Sequence, residues 1–360
     1  MGHGAMADDL LVATAEELFA DTCPPEAVDQ AAAGDGWAPQ VWQALEQAGM
    51  TLLPVPEARG GAGAGLVEAA ALLRAAGRHA APVPLAETAL LAGWLLAGAG
   101  LDVPSGPLAA AVGEGLTLRR VGDGWRVSGR LSRVPWARVA ERLVVLVDVP
   151  EPLVLLLDRS AYDVQPGRNV ASEPRDEVTF DGAVAAAAAA PGPDATADAF
   201  LLRGALGRAV LMSGAAERAL DLSVGYAEQR VQFGRPIARF QAVQQHLAEM
   251  AGVVAASSIA ADAAVRDLQA GAPLARVRVA AAKEQAGRTA GVVARLAHQV
   301  HGAIGFTREH VLRQATTRLW AWRDEYGNEQ HWARVVGEQA LRAGADGLWP
   351  QLTSDEERHG

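Results

Sequence analysis

The sequence predicts an α+β fold that is mainly α, in three consecutive parts. These are a helical domain over residues 1–104, a small β domain over 105–193 and a four-helix bundle over 194–360. Three observations predict it. Apolar residues recur at helical spacing as far as Leu101, for example at Val41, Leu45 and Ala48. The pattern then changes to short apolar runs between turn residues, as far as Ala190. From Ala195 the helical period returns, in runs long for a globular protein.

In the first part, the glycine-rich stretch 60–65 interrupts the helical pattern as a loop. As a phosphate cradle it is weak, since neither a following Lys-Ser/Thr nor a clear preceding strand accompanies it. The most membrane-like run, 88–101, is too short to span a bilayer and is broken by glycines, which predicts a buried helix. In the middle part, Gly122-Asp123-Gly124 between Leu116/Leu118 and Trp125/Val127 is a hairpin signal. Runs 143–147 and 153–157, separated by Pro150 and Pro152, read as buried strands, and 178–180 as another. The alanine run 185–190 and Pro191-Gly-Pro193 read as a linker.

In the last part, Leu202, Leu206, Val210, Leu220, Val224 and Ala227 mark one helix. Val243, Leu247, Met250, Val254, Ala261, Val265 and Leu268 mark a second, ended by Gly271-Ala-Pro273. A third covers 274–300, and long helices in sequence argue a bundle. The polar end, 351–360, is expected to fray.

Composition narrows the function. A net charge of −10 argues against non-specific nucleic-acid binding, while leaving room for a local basic patch that holds a phosphorylated ligand. The single cysteine, Cys23, forms no internal disulfide, and no Cys/His cluster has zinc spacing. With no basic stretch followed by a long apolar run, the expectation is a cytoplasmic protein without a membrane partner.

Two motifs carry chemistry. Tyr226-Ala-Glu-Gln-Arg-Val-Gln-Phe-Gly-Arg-Pro-Ile-Ala-Arg-Phe-Gln241 ends one helical pattern and begins another. It sets Arg230, Gln232 and Phe233 side by side. A guanidinium fork matches pyrophosphate oxygens, an aromatic ring packs on the organic part of a cofactor, and Gly234 and Pro236 shape the turn. The plain alternative is a surface arginine paired with Glu228. In Gln299-Val-His-Gly-Ala-Ile-Gly-Phe306, Gly302 and Gly305 permit close backbone approach to a ligand and Gln299 offers an amide. His301 reads as structural ahead of proton donor.

Together these motifs resemble the two flavin-contacting segments of the acyl-CoA dehydrogenases, and stretches 42–49, 56–63 and 77–82 are similar to that family's N-terminal part. The resemblance implies an FAD-dependent oxidoreductase acting on an acyl-CoA thioester. It implies FAD contacts from Arg230, Gln232, Phe233, Gln241, Gln299, Gly302, Ala303 and Asn328, reaching cofactor bound mainly by a neighbouring subunit. Ala303 stands where the family usually has a second glycine.

The family's reaction uses a carboxylate to abstract the proton beside the thioester carbonyl while hydride passes to flavin N5. The usual base position falls on Tyr326 and the alternative one near Gly204. Tyrosine, with a pKa of about 10, is a poor base at neutral pH. Glu325 and Glu329 flank the first position, but a shift of one helical residue turns a side chain by about 100°. The β domain departs too. It lacks the family's Thr-Glu-Pro and Gly-Ser-Asp loop, and residues 129–136 replace the usual flavin-facing run, with Trp136 reading as core ahead of flavin stacking.

Three readings follow. The first is a partner subunit in an α2β2 heterotetramer, similar to bacterial dehydrogenases of steroid side-chain breakdown, completing the FAD site of a catalytic chain. The second is a homo-oligomer using Glu325 or Glu329. The third is a scaffold or acyl-CoA-binding protein of the same fold. The segment 320–326 reads as packing the bundle's end ahead of lining an acyl pocket.

Overall fold

The computed structural model describes residues 2–122, 124–148, 152–307 and 310–353. Four helices open the chain: α1 (Gly2–Thr22), α2 (Pro25–Ala33), α3 (Pro39–Gln47) and α4 (Leu66–Arg78). Proline at the first turn starts α2 and α3, where a missing N–H costs nothing. The 60–65 stretch is a loop, as expected. Its phosphate reading fails because the chain itself takes the donors at the start of α4: Gly65 N–H donates to Glu68 Oε2 at 2.8 Å and Val67 N–H to Gln269 Oε1 at 3.0 Å.

The apolar run before the β domain is a buried helix, but not a regular one. It is π-helical over Ala86–Gly93 before continuing as α5 (Trp94–Gly98). The wide turn buries Glu87 and Thr88 together. Thr88 Oγ1 donates to Leu108 O and accepts from Leu108 N–H, which fastens this helix to the first strand.

Eight strands follow in two four-stranded sheets. They are β1 (Leu108–Val112), β2 (Thr117–Val121), β3 (Gly124–Pro135), β4 (Arg142–Val147), β5 (Leu153–Asp158), β6 (Asp163–Gln165), β7 (Arg175–Val184) and β8 (Ala187–Ala189). One sheet runs β1-β4-β5-β8, with β1 parallel to β4, and the other runs β2-β3-β7-β6. Leu143, Val145, Leu155, Val127, Leu131 and Phe180 fill the space between them. The expected β2–β3 hairpin forms, with Val121 opposite Gly124, while Asp123 of its turn and Pro150 lie outside the described residues. One reading is corrected: Ala187–Ala189 is not linker but an edge strand on β5, since small side chains do not prevent backbone pairing.

The C-terminal part is built of the long helices α6 (Ala197–Gln229), α7 (Gln241–Gln269), α8 (Ala275–His301) and α10 (Glu329–Thr353), with the shorter α9 (Leu312–Asp324) against α6 and α8. Between α6 and α7 lies a two-stranded ribbon of β9 (Val231–Gln232) and β10 (Arg235–Pro236). The apolar face read from the sequence of α7 is the inward one, with Met250, Val254, Ala261 and Val265 buried. Val224 of α6 departs from its expected face and is exposed.

Candidate functional site

Two places on the chain answer to the predicted chemistry, and they differ in character. One is the end of the bundle where α6 and α8 finish. Tyr226, one turn before Arg230, stacks on His301, two residues after Gln299, with ring centroids 4.5 Å apart. This contact brings the two motifs to the same end of the molecule. Among the described residues the Arg230 guanidinium has no hydrogen-bond or ion-pair partner, so the pairing with Glu228 does not form. Phe233 sits at φ 52°, a left-handed conformation unusual for a bulky side chain, and is 92% exposed. Gln232 and Gln241 are exposed beside it.

Gln299 and Gly302 line a groove of about 420 Å³ with Arg295, His298 and Trp320. A side chain at Gly302 would meet nothing within 4 Å, so the backbone there is open to a ligand, and Ala303 beside it is exposed. His301 is structural, as expected. Its ring is buried, and Nδ1 donates to Ala297 O at 2.8 Å. Burial holds its pKa below the usual histidine value. Asn328 has a local role in the fold, its Oδ1 accepting from His331 N–H at the start of α10.

The second place is a cavity of about 610 Å³ where β1 and β3 face the turn after α9. Its wall is the irregular part of β3, where the register slips between Leu131 and Val134 and Arg133 is left-handed at φ 57°. Glu177 holds that bulge, accepting from Ser132 Oγ at 2.9 Å and Arg133 N–H at 3.2 Å. Trp136 does not reach this cavity as a stacking platform. It is 3% exposed, with the Arg175 guanidinium 5.9 Å from its ring centre.

The two positions where a catalytic base was expected lie against each other here. A Cβ built on Gly204 would overlap the Tyr326 ring, closer than real side chains come. Tyr326 is itself left-handed at φ 53° and packs on Phe200 at 6.3 Å between ring centroids. Its hydroxyl is buried without a hydrogen-bond partner, and burial, reinforced by Glu87, pushes its pKa up. The tyrosine fills the space a glutamate on α6 would need, and glycine is what lets it do so.

The flanking carboxylates are not free either. Glu325 accepts from Arg175 Nε and Nη2, both at 2.7 Å, from Arg208 Nε at 2.7 Å and from Asn169 Nδ2 at 3.1 Å. Burial raises its pKa, but the Arg175 and Arg208 charges and these hydrogen bonds outweigh it and hold the carboxyl at about 2. Glu329 is bound by Arg323, which holds it at about 2 as well. Neither can take up a proton near neutral pH.

Sequence reasoning missed the network that contains Glu325. Arg208 also reaches Glu87, and Arg175 reaches Glu173 at 3.1 Å. Glu173 in turn accepts from Trp322 Nε1 at 2.9 Å and lies 3.3 Å from Arg318. Three arginines and three glutamates are thereby buried as a neutral set joining the β domain, α6, α9 and the π-helical turn. Only buried charge in apolar stretches, as at Arg208 in α6, could have signalled it. Lys283 is the other missed residue. It is fully buried and donates from Nζ to Arg323 O at 2.7 Å and Gly327 O at 2.8 Å, pinning the turn that carries Tyr326.

Residues 7–102 match the N-terminal domain model of acyl-CoA dehydrogenases, and residues 195–340 match the C-terminal domain model. A relative described as acyl-CoA dehydrogenase IpdE2 from Mycobacterium tuberculosis is 32% identical over 84% of this chain and 87% of its own length. This chain belongs to the acyl-CoA dehydrogenase family. It is an oxidoreductase of the class that acts on acyl-CoA, and members of the family bind FAD. A solved Tcur3481-Tcur3483 steroid ACAD variant superimposes with a TM-score of 0.83 at 26% identity, covering 97% of this chain and 99% of that one. The ChsE4-ChsE5 complex from Mycobacterium tuberculosis has the same fold, with a TM-score of 0.83 at 24% identity over 94% of this chain and 98% of that one. The residues at the bundle end fit a dinucleotide: a guanidinium without an internal partner, an uncovered aromatic ring and an open groove beside Gln299 and Gly302.

Proposed function

We propose that this chain is the non-catalytic partner in a two-subunit, FAD-dependent acyl-CoA dehydrogenase, completing the flavin site of a chain that supplies the base. One observation carries the reading. The two places where a base would stand are occupied by a glycine and by the tyrosine ring packed into it. The neighbouring glutamates support it, since arginines saturate both.

The residues that would hold a partner's cofactor are intact and outward. Arg230 would bind pyrophosphate, Phe233 and Gln232 would cover the organic part, and Gln299 with the backbone at Gly302 and Ala303 would approach from α8. Gln241 and Asn328 belong to the same proposed set. Bound FAD supplies the acceptor for hydride leaving the acyl thioester. This chain's contribution is to position and shield it while the proton goes to the partner's carboxylate. Helix α7 supports assembly, since Ala251, Ala255 and Ile259 leave an apolar face uncovered, with Ile259 68% exposed. The solved neighbour named as a two-component steroid ACAD favours a second, unlike subunit and a polycyclic acyl thioester as substrate; an α2β2 stoichiometry and a cytoplasmic setting belong to the same proposal.

The test is co-expression with a second dehydrogenase-like chain carrying a glutamate base, followed by native mass spectrometry and a flavin absorbance spectrum. The expected outcome is a colourless, inactive chain alone and a yellow, active two-plus-two complex. One FAD per subunit and acyl-CoA oxidation by the chain alone would overturn the reading.

A further inference from the structure

A second cavity, of about 430 Å³, lies away from both places described above. It opens between the end of the buried N-terminal helix, the start of α6 and the end of α7. Its walls are apolar: Val55, Leu66, Ala89, Trp94, Ala97 and Leu268. One cation lines it. The Arg203 guanidinium lies over Trp94, with Cζ 4.4 Å from the ring centre. Among the described residues Arg203 has no ion pair or hydrogen bond to any side chain. Asp194 is the acid whose charge it feels, but the two are not in contact.

The arrangement is unusual for a structural arginine. The buried arginines of this chain, Arg175, Arg208 and Arg318, each face carboxylates, whereas the half-buried Arg203 faces a ring. Arg203 gives up part of its hydration and gains a ring, and burial lowers its pKa to about 10. A guanidinium stacked by its face keeps its N–H donors in plane and directed past the ring edge. Here both members of the pair line the apolar cavity, so the guanidinium is within reach of a ligand held there. A ligand that satisfies both features has an apolar body and one anionic end, and the cavity volume lies in the range of small-molecule sites.

We propose that the Trp94–Arg203 groove binds an amphiphilic carboxylate, its apolar body between the helices and its carboxylate on the Arg203 fork. Binding requires neither flavin nor a partner chain, so it stands or falls apart from the proposed function.

The test is isothermal titration calorimetry of the full chain with decanoate and with decanol, both below their aggregation limits. The expected result is saturable binding of one decanoate per chain, with decanol at least about tenfold weaker because it lacks the charge. Arg203→Met is expected to weaken decanoate at least about tenfold and to leave decanol within about twofold, which also reports that the variant is folded. Ala97→Trp, which fills the groove without touching the charge, is expected to abolish binding of both. Equal affinity for decanoate and decanol overturns the proposal. So does undiminished decanoate binding by either variant, or no saturable binding at all.

Discussion

At the residue scale, the interlock of Gly204 and Tyr326 makes a quantitative prediction. Gly204→Glu alone forces a side chain into the space of the tyrosine ring. Overpacking of that kind costs about 1–3 kcal/mol, to be read from chemical denaturation. Combined with Tyr326→Ala the same substitution should recover most of that loss, because the truncation vacates the volume the glutamate needs. A double variant no more stable than Gly204→Glu would show that the ring is not what closes the site.

Glu325 gives a second test. Glu325→Gln leaves Arg175 and Arg208 short of their shared counter-charge, and breaking a buried pair costs about 3–5 kcal/mol. Its pKa of about 2 lies below the ordinary 4.5, so its stabilising contribution is complete above pH 4.5 and is lost as pH falls toward 2. Glu329 acts in the same window. Lys283 gives a slope of the same sign in a higher window. Its pKa is lowered from 10.5 to about 7, chiefly by burial, so the unfolded chain binds more protons between those values and stability rises with pH there. The rise is cleanest from about pH 7 to 9. Above that, Cys23, whose thiol is pushed from 9.0 up to about 11 by burial, works against it. Lys283→Met should flatten the slope, as measured by melting temperature across that range.

At the element scale, the ribbon between α6 and α7 is costly for a lone chain to maintain. A left-handed Phe233 is strained by about 1–2 kcal/mol, and its ring, left largely exposed, meets Phe240 edge-on with centroids 6.1 Å apart. Phe233→Gly relieves the strain but adds freedom to the unfolded chain, so the isolated protein should change by less than about 1 kcal/mol. Flavin retention in the assembled complex should fall at least about tenfold, if the ring is a cofactor contact worth about 1.4 kcal/mol or more. Spectrophotometric titration of the complex with FAD reads this directly. Equal retention would remove Phe233 from the proposed contact set.

The π-helical turn has an element-scale consequence of a different kind. It brings Glu87 to Arg208 and Thr88 to Leu108 from adjacent positions, so one helix is tied both to α6 and to β1. The buried charge network thereby fixes the β domain against the bundle through side chains from four stretches of chain, at residue 87, 169–175, residue 208 and 318–325.

At the scale of the whole molecule, the chain presents two unlike faces. Toward its own cavity at β1 and β3 the two expected base positions are closed, with Glu325 saturated by arginines and Tyr326 wedged against Gly204, while the exposed Glu114 and Asp324 line the same cavity. Toward the bundle end it is open, with Arg230, Phe233 and Gln299 turned outward and α7 uncovered alongside. A homo-oligomer would carry the same closed base positions at every site, with Glu325 and Glu329 held by arginines in each copy. The proposed pairing with an unlike chain would answer that asymmetry, and a native mass of two plus two with flavin is the result that proposal predicts.

Much of this was determined by the sequence alone. Helical period at both ends, the glycine-centred hairpin signal and the spacing within 226–241 and 299–306 prescribe local structure, which depends on near neighbours and is therefore readable in one dimension. The sequence also placed a glycine and a tyrosine at the two base positions. It presented these as two separate losses, because residues 204 and 326 are far apart along the chain. Only the tertiary structure decided that they are one complementary pair, that Glu325 serves as counter-ion to arginines from α6 and β7, and that Arg203 stands in an apolar groove. Those outcomes depend on which segments meet in the interior. There, lost hydration makes a charge's role depend on its partners, and no local pattern names those partners.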